Sequence, residues 1–127
     1  MNADSYKIQM LKVPVSDVEA SAQFYSEHMG FEVQFVVAEY GWAQLAAGQL
    51  SLALYKPGLG GGNGQIGGSL DFHLSLPEPA FESLAARSLE KGILVENMVH
   101  TGNDGTTFVD ILDPDENIVK VMKRDAP

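Results

Sequence analysis

The sequence lacks cysteine, and it is poor in basic residues and in long apolar runs. Without cysteine, the 127 residues can form no disulfide, zinc–thiolate site, iron–sulfur cluster or cysteine nucleophile, which fits a cytoplasmic location. No apolar run approaches the roughly 20 residues that span a bilayer, and the first residues lack the basic and apolar regions of a signal peptide. We therefore expect no membrane partner.

The charge balance is acidic. Eight lysines and arginines stand against 17 aspartates and glutamates, which gives a net charge of −9. A charge of this sign repels phosphate backbones and no basic stripe offsets it, so we expect no nucleic acid partner. The charge would favour a cationic ligand at long range, but it is also an ordinary means of staying in solution.

Apolar periodicity divides the sequence into two halves with the same order of elements: a strand, a helix and three strands. In the first half the predicted elements occupy residues 6–15, 18–29, 31–37, 41–47 and 50–55. In the second half they occupy residues 70–76, 81–89, 93–99, 106–112 and 117–123. A capping box formed by Ser16 and Glu19 is expected to open the first helix. The fold class is therefore α+β, with two tandem βαβββ modules.

A glycine-rich stretch at residues 57–69 joins the two halves. A phosphate-binding loop would need a Gly-Lys-Ser/Thr ending between a strand and a helix, and this stretch has neither. We therefore interpret it as a flexible connector. Module one is then expected at about residues 5–56 and module two at about residues 70–124, within one domain spanning residues 1–127.

Four short motifs resemble the vicinal oxygen chelate superfamily, which includes glyoxalase I, extradiol dioxygenases, fosfomycin-resistance transferases and bleomycin-binding proteins. They are Val13-Pro14-Val15-Ser16-Asp17, Phe24-Tyr25, Met29-Gly30-Phe31 and Asp113-Pro114-Asp115-Glu116-Asn117. The last motif has Glu116 where the family usually has glycine. The resemblance implies curved mixed sheets around a ligand cavity, helices outside, and assembly as a homodimer.

The resemblance also implies four metal-ligand positions, one on the first, fourth, fifth and eighth strands. Here they fall on Met10, Ala53, Asp71 and Lys120. Only Asp71 suits a hard divalent cation, and one ligand beside an ammonium does not retain a metal. We therefore expect no metal and no cofactor, with Asp71 and Lys120 forming an ion pair where the metal would lie.

Strand alternation and the implied cavity together select the expected ligand-binding residues. They are Met10, Lys12, Trp42, Gln44, Ser51, Ala53, Tyr55, Asp71, His73, Lys120 and Met122. Trp42 and Tyr55 could stack on an aromatic or cationic ligand, or else fill the barrel or contact a second chain. His73 is either a general base or displaced metal ligand, or a hydrogen-bonding residue of the cavity.

Three functional hypotheses follow from the resemblance and from the altered metal positions. The first is a metal-free small-molecule-binding protein that sequesters an antibiotic or a similar ligand. The second is a glyoxalase-like lyase, isomerase or dioxygenase-related enzyme that uses His73, Asp71 or Lys120, or an atypical metal site. The third is an accessory module without a small ligand. The sequence assigns no catalytic residue, because fold alone does not determine function.

Overall fold

The computed structural model describes residues 2–125, which divide into two compact units with their boundary between Gln65 and Ile66. The first unit contains β1 (Leu11–Pro14), α1 (Val18–Glu27), β2 (Glu32–Val37), β3 (Trp42–Ala47) and β4 (Leu50–Tyr55). The second contains β5 (Gly68–Pro77), α2 (Glu78–Glu90), β6 (His100–Thr101), β7 (Thr107–Leu112) and β8 (Asn117–Arg124). Each unit is a βαβββ module, as predicted. Within residues 2–125, no helix is long and apolar enough to cross a membrane.

The two modules have the same sheet topology. Strand order is β1-β4-β3-β2 in the first sheet and β5-β8-β7-β6 in the second. In each sheet the first strand pairs in parallel with the last, and the other neighbours pair in antiparallel. Each sheet is therefore mixed, and its helix connects the two edge strands while the last strand inserts beside the first.

One face of each sheet is buried with the module's helix and forms the core. In the first unit the residues with at most 1% exposure on this face are Val13, Ala43, Leu45, Leu52 and Leu54. In the second they are Val109, Ile111, Val119 and Val121. The helices contribute Tyr25 and Phe81, which are equally buried. Each of these large side chains stabilises its unit by about 1.5–3 kcal/mol through removal of apolar surface from water.

Helix α1 begins one residue later than the predicted capping box implies. The Asp17 carboxylate, not the Ser16 hydroxyl, is the helix cap, and it accepts hydrogen bonds from Glu19 N at 3.0 Å and Ala20 N at 3.1 Å. Asp17 has extended backbone angles, which is the geometry that lets a capping side chain reach the first free N–H groups.

The predicted strand at residues 93–99 is wrong. Residues Val95–Asn97 form a 3-10 turn in which Glu96 and Asn97 have φ of 59° and 56°. Two successive left-handed residues cannot continue an extended strand, so regular pairing with β7 starts only at His100. Leu94 alone makes an earlier bridge, to Ile111.

The turn between β7 and β8 is held by the carboxylate of Asp113. This buried group accepts hydrogen bonds from Asp115 N, Asn117 N and Asn117 Nδ2, each at 2.9 Å. Asn117 in turn accepts the N–H of Gly67 through its Oδ1 at 2.8 Å, which ties the start of β5 to this turn. Glu116 has φ of 63°, a left-handed conformation that glycine adopts with least strain.

Replacing Glu116 by glycine should raise the free energy of unfolding by up to about 1 kcal/mol. Glycine removes the left-handed penalty of about 1–2 kcal/mol from the folded state. Part of this gain is lost because glycine also increases the conformational entropy of the unfolded chain. Urea unfolding measures the change. The matched control is Glu116→Ala, which removes the charge but keeps the Cβ, and it should stay close to wild type. Equal gains in both variants would assign the effect to the charge instead.

Candidate functional site

The first unit carries predicted ligand-binding residues on the face opposite α1. Trp42 lies across from Tyr55, and Gln44 lies across from Ala53. Trp42 Nε1 donates to Gln44 Oε1 at 3.3 Å, and Gln44 Nε2 donates to Ser51 Oγ at 3.3 Å. These hydrogen bonds form a polar row across β3 and β4 that satisfies the indole N–H of Trp42 and one amide N–H of Gln44 within the sheet.

The glycine-rich segment covers the aromatic end of this face. We call residues 57–65 the glycine strap. Lys12 Nζ donates to the carbonyl of Gly61 at 2.6 Å, and Gly64 N donates to the hydroxyl of Tyr55 at 3.0 Å. Tyr55 is consequently only 5% exposed. The segment predicted as a flexible connector thus lies against the sheet over residues 57–65.

Three glycines allow the strap to lie this close. A Cβ added at Gly61 would lie 3.0 Å from the Trp42 ring, and one at Gly62 would lie 2.9 Å from the Tyr55 ring. At Gly64 the added atom would lie only 2.2 Å from the Tyr55 hydroxyl oxygen. Glycine is thus required here for close backbone approach, a role that its frequency in the sequence does not reveal.

The second unit carries a charged and aromatic cluster at corresponding positions. Lys120 Nζ lies 3.5 Å from Asp110 Oδ1 and 3.8 Å from the centroid of the Phe108 ring. The His100 ring stacks on Phe108 with centroids 5.3 Å apart, and His100 Nε2 lies 3.3 Å from the carbonyl oxygen of Val95. Lys120 is therefore held by an ion pair and a cation–π contact at once, and the His100 side chain beside Phe108 is only 16% exposed.

Lys120 does not form the predicted ion pair with Asp71. Ser69 lies beside Ile118, whereas His73 lies beside Lys120, so β5 has two more residues than β8 over this interval. Asp71 falls in this irregular stretch, which leaves His73 as the cross-strand neighbour of Lys120. The carboxylate that pairs with Lys120 comes from β7 instead, because Asp110 lies directly opposite it.

The remaining predicted residues occupy less constrained places. Met10 is half-buried just before β1, and Met122 is half-buried opposite Phe108. Asp71 and His73 are exposed. Strand alternation could have placed Asp110 and Phe108 on the same face of β7, because they are two residues apart. Nothing in the sequence marks His100 as part of this cluster.

The four positions implied for metal ligands do not fit a divalent ion. Ala53 has no donor atom and is completely buried, and the Lys120 ammonium already faces Asp110. Met10 offers only a soft thioether, which hard cations avoid. Within each unit's described residues, no three His, Asp or Glu side chains gather closely enough to hold a metal ion.

A separate surface depression of about 200 Å³ lies in the first unit at the start of α1. It is lined by Ser16, Asp17, Val18, Ala38, Gly41 and Lys56. None of the predicted ligand-binding residues lines it. The Asp17 carboxylate already accepts two of the helix N–H groups there, so the depression offers few free donors to a ligand.

Two exposed charges near the second sheet are tuned by local hydrogen bonds. Hydrogen bonds from the Thr106 side chain and backbone lower the pKa of Asp104 in the loop before β7. The hydrogen bond to Glu82 raises the pKa of Lys123, which links β8 to α2 at 3.1 Å. Both groups therefore keep their charges at neutral pH.

Comparison with known proteins places the fold. The family model for the Glyoxalase/Bleomycin resistance protein/Dioxygenase superfamily matches residues 7–121. The crystal structure of lactoylglutathione lyase from Agrobacterium tumefaciens is 20% identical over 92% of each chain, with a TM-score of 0.78. A member of the same superfamily from Sphaerobacter thermophilus is 21% identical over 94% of this chain and 98% of the other, with a TM-score of 0.70. A search of curated proteins gives no match.

The Lys120–Asp110 pair should show measurable coupling in a double-mutant cycle. Lys120→Met should lower the free energy of unfolding by about 1–2 kcal/mol, because it leaves the half-buried Asp110 carboxylate without its cation. Adding Asp110→Leu should recover most of that loss, since no charge is then stranded. Urea unfolding of the four proteins measures the coupling.

The control for this cycle is Glu82→Gln, which breaks the more exposed ion pair of Lys123 and should change stability little. A double variant that is less stable than either single variant would show that the pair of Lys120 and Asp110 has no such coupling.

Proposed function

We propose that this chain, which belongs to the Glyoxalase/Bleomycin resistance protein/Dioxygenase superfamily, binds a small molecule without a resident metal ion. The observation that carries this proposal is the set of side chains at the four positions where the family resemblance implies metal ligands. Ala53 supplies no donor, and Lys120 supplies a cation that is engaged with Asp110 and Phe108. A protein with this donor set recognises its ligand by direct contacts rather than through a metal.

The chemistry of both sheet faces supports a planar ligand. The first face offers the rings of Trp42 and Tyr55 beside the Lys12 ammonium, which lies 5.2 Å from the Tyr55 ring centroid. The second offers Phe108 and the pair of Lys120 and Asp110. Aromatic rings with a few polar groups are the usual lining of small-molecule sites. We propose sequestration of an antibiotic or a similar aromatic compound as the role.

Catalysis is the second candidate, and one observation favours it. His73 is exposed and is the register partner of Lys120 on the neighbouring strand, so a histidine and a lysine lie on adjacent strands of one sheet. Such a pair could move a proton in a lyase or isomerase reaction. One observation opposes catalysis: Asp110 and Phe108 hold the Lys120 ammonium, which is therefore less available to exchange a proton with a substrate.

Metal analysis followed by ligand screening separates these two functions. Protein purified without chelators should contain well under one zinc, nickel, manganese or iron ion per chain, because one carboxylate and an ammonium do not hold such ions. A panel of aromatic antibiotics should contain a compound that stabilises the protein by about 2.7 kcal/mol at 100 times its Kd, without turnover.

The control in both measurements is Asp71→Ala, which removes the one carboxylate at the metal positions and should leave metal content unchanged. One tightly held metal ion per chain that is lost in Asp71→Ala, together with turnover of an added thiol conjugate or catechol, would overturn the proposal of a metal-free binding protein.

A homodimer is the expected assembly. In its sheet, β2 is an edge strand whose Val33, Phe35 and Val36 are 37–48% exposed, so unpaired backbone groups and apolar side chains lie together. Such edges are usually covered, and most oligomers are twofold homodimers. Sedimentation velocity at micromolar concentration should give the mass of two chains. A single species with the mass of one chain would contradict this expectation.

A further inference from the structure

We propose that the glycine strap is a displaceable cover over an aromatic recess formed by Lys12, Trp42 and Tyr55, and that its backbone occupies the place of a ligand's amide group. The identification of the ligand rests on the proposed small-molecule-binding function, whereas the displacement of the strap does not. The strap is residues 57–65, all within the first unit.

The contacts that the strap makes define what could replace it. Lys12 donates a hydrogen bond to the backbone carbonyl of Gly61, and the hydroxyl of Tyr55 accepts a hydrogen bond from the backbone N–H of Gly64. A ligand in the same place must therefore carry an acceptor for Lys12, a donor for Tyr55 and a flat group for Trp42. These requirements describe a planar aromatic amide with a second carbonyl.

The strap has the composition of a segment that opens easily. Five of its nine residues are glycine, which loses more conformational entropy on ordering than any other residue. Two hydrogen bonds join it to the recess, and the side chains of Leu59, Asn63 and Gln65 are exposed. The entropy of ordering therefore opposes a small number of contacts, which is the condition for local opening without unfolding of the unit.

The conformations of Gly61 and Gly64 allow a sharp test. Neither glycine has a positive φ, so alanine fits the local backbone at both positions and meets obstruction only from the aromatic side chains. The Gly64→Ala methyl group would lie 2.2 Å from the Tyr55 hydroxyl oxygen, so the strap and the end of the Tyr55 side chain must move apart. This variant should unseat the strap and leave the sheet intact.

Trp42 reports the state of the strap because it is the only tryptophan of the chain. In protein without ligand, Gly64→Ala should increase acrylamide quenching of Trp42 about twofold or more, with unchanged far-ultraviolet circular dichroism. Tyr55→Phe, which keeps the ring and removes the acceptor, should increase quenching to a smaller extent. The matched control is Asn63→Ala, a change of an exposed strap side chain, which should leave quenching at the wild-type value.

Unchanged quenching in both Gly64→Ala and Tyr55→Phe would show that the strap does not open. Increased quenching that appears only together with loss of the circular dichroism signal would show that the strap is a fixed part of the unit. Either result overturns the proposal, and neither bears on whether the protein binds a metal or a drug elsewhere.

The probe for the ligand class is N-benzoylglycinamide, which has a ring, an amide N–H and a carbonyl, and which is neutral. Titration followed by Trp42 emission should show saturable binding to wild type and about tenfold tighter binding to Gly64→Ala, if the strap closes the recess nine-tenths of the time. The N-methylated analogue, N-benzoylsarcosinamide, loses the benzamide N–H beside the ring and keeps only the terminal amide as a donor, so it should bind more weakly to both.

Equal affinity of the probe for wild type and Gly64→Ala, or no binding to either, would overturn the claim that the strap stands in for a ligand. Failure of the proposed function has a different signature, namely a tightly held metal ion with turnover, and it would leave the quenching result unaffected.

Discussion

The parallel pairing of the first and last strands determines which side chains become neighbours on the exposed face of each module. It places Lys12 beside Ala53 in the first sheet and His73 beside Lys120 in the second, and antiparallel pairing then sets Gln44 and Asp110 on the far side. Because side chains alternate along a strand, this register decides at once which residues lie in the core and which lie on the other face. A slip of one residue would bury the charges and expose the core.

The duplicated register lets the two faces be compared position by position. Ala53 corresponds to Lys120, and Trp42 corresponds to Phe108. In the second module the long Lys120 side chain crosses its own face to reach Asp110 and Phe108, so that face satisfies its charge internally. In the first module the short Ala53 leaves the aromatic end of the face to be covered by backbone from the glycine strap. The lysine that stands at the position of Ala53, together with Asp110 at the position of Gln44, thus gives the second module a charged face where the first has an aromatic one.

Periodicity predicted the modules because a half-buried sheet imposes a pattern of apolar residues that few other structures share. It could not predict that Asp71 is displaced from Lys120, because the two additional residues in β5 leave no trace in apolar alternation. The strap was missed for a different reason. Glycine permits flexibility and close backbone approach alike, and only the rings of Trp42 and Tyr55 beneath it distinguish the two. The prediction of a strand at residues 93–99 was wrong because Glu96 adopts a left-handed conformation, which is uncommon for residues other than glycine.

Both cationic side chains at these faces already have partners within the chain. Lys12 donates to a carbonyl oxygen of the strap, and Lys120 faces a carboxylate. A ligand that approaches either face must replace an existing interaction rather than fill an empty one, so its affinity reflects the difference between two sets of contacts. The exchange costs less at Lys12, because a neutral carbonyl on a glycine-rich segment holds an ammonium less strongly than a half-buried carboxylate does. The aromatic face of the first module is therefore the one at which ligand chemistry can most readily compete with the protein's own.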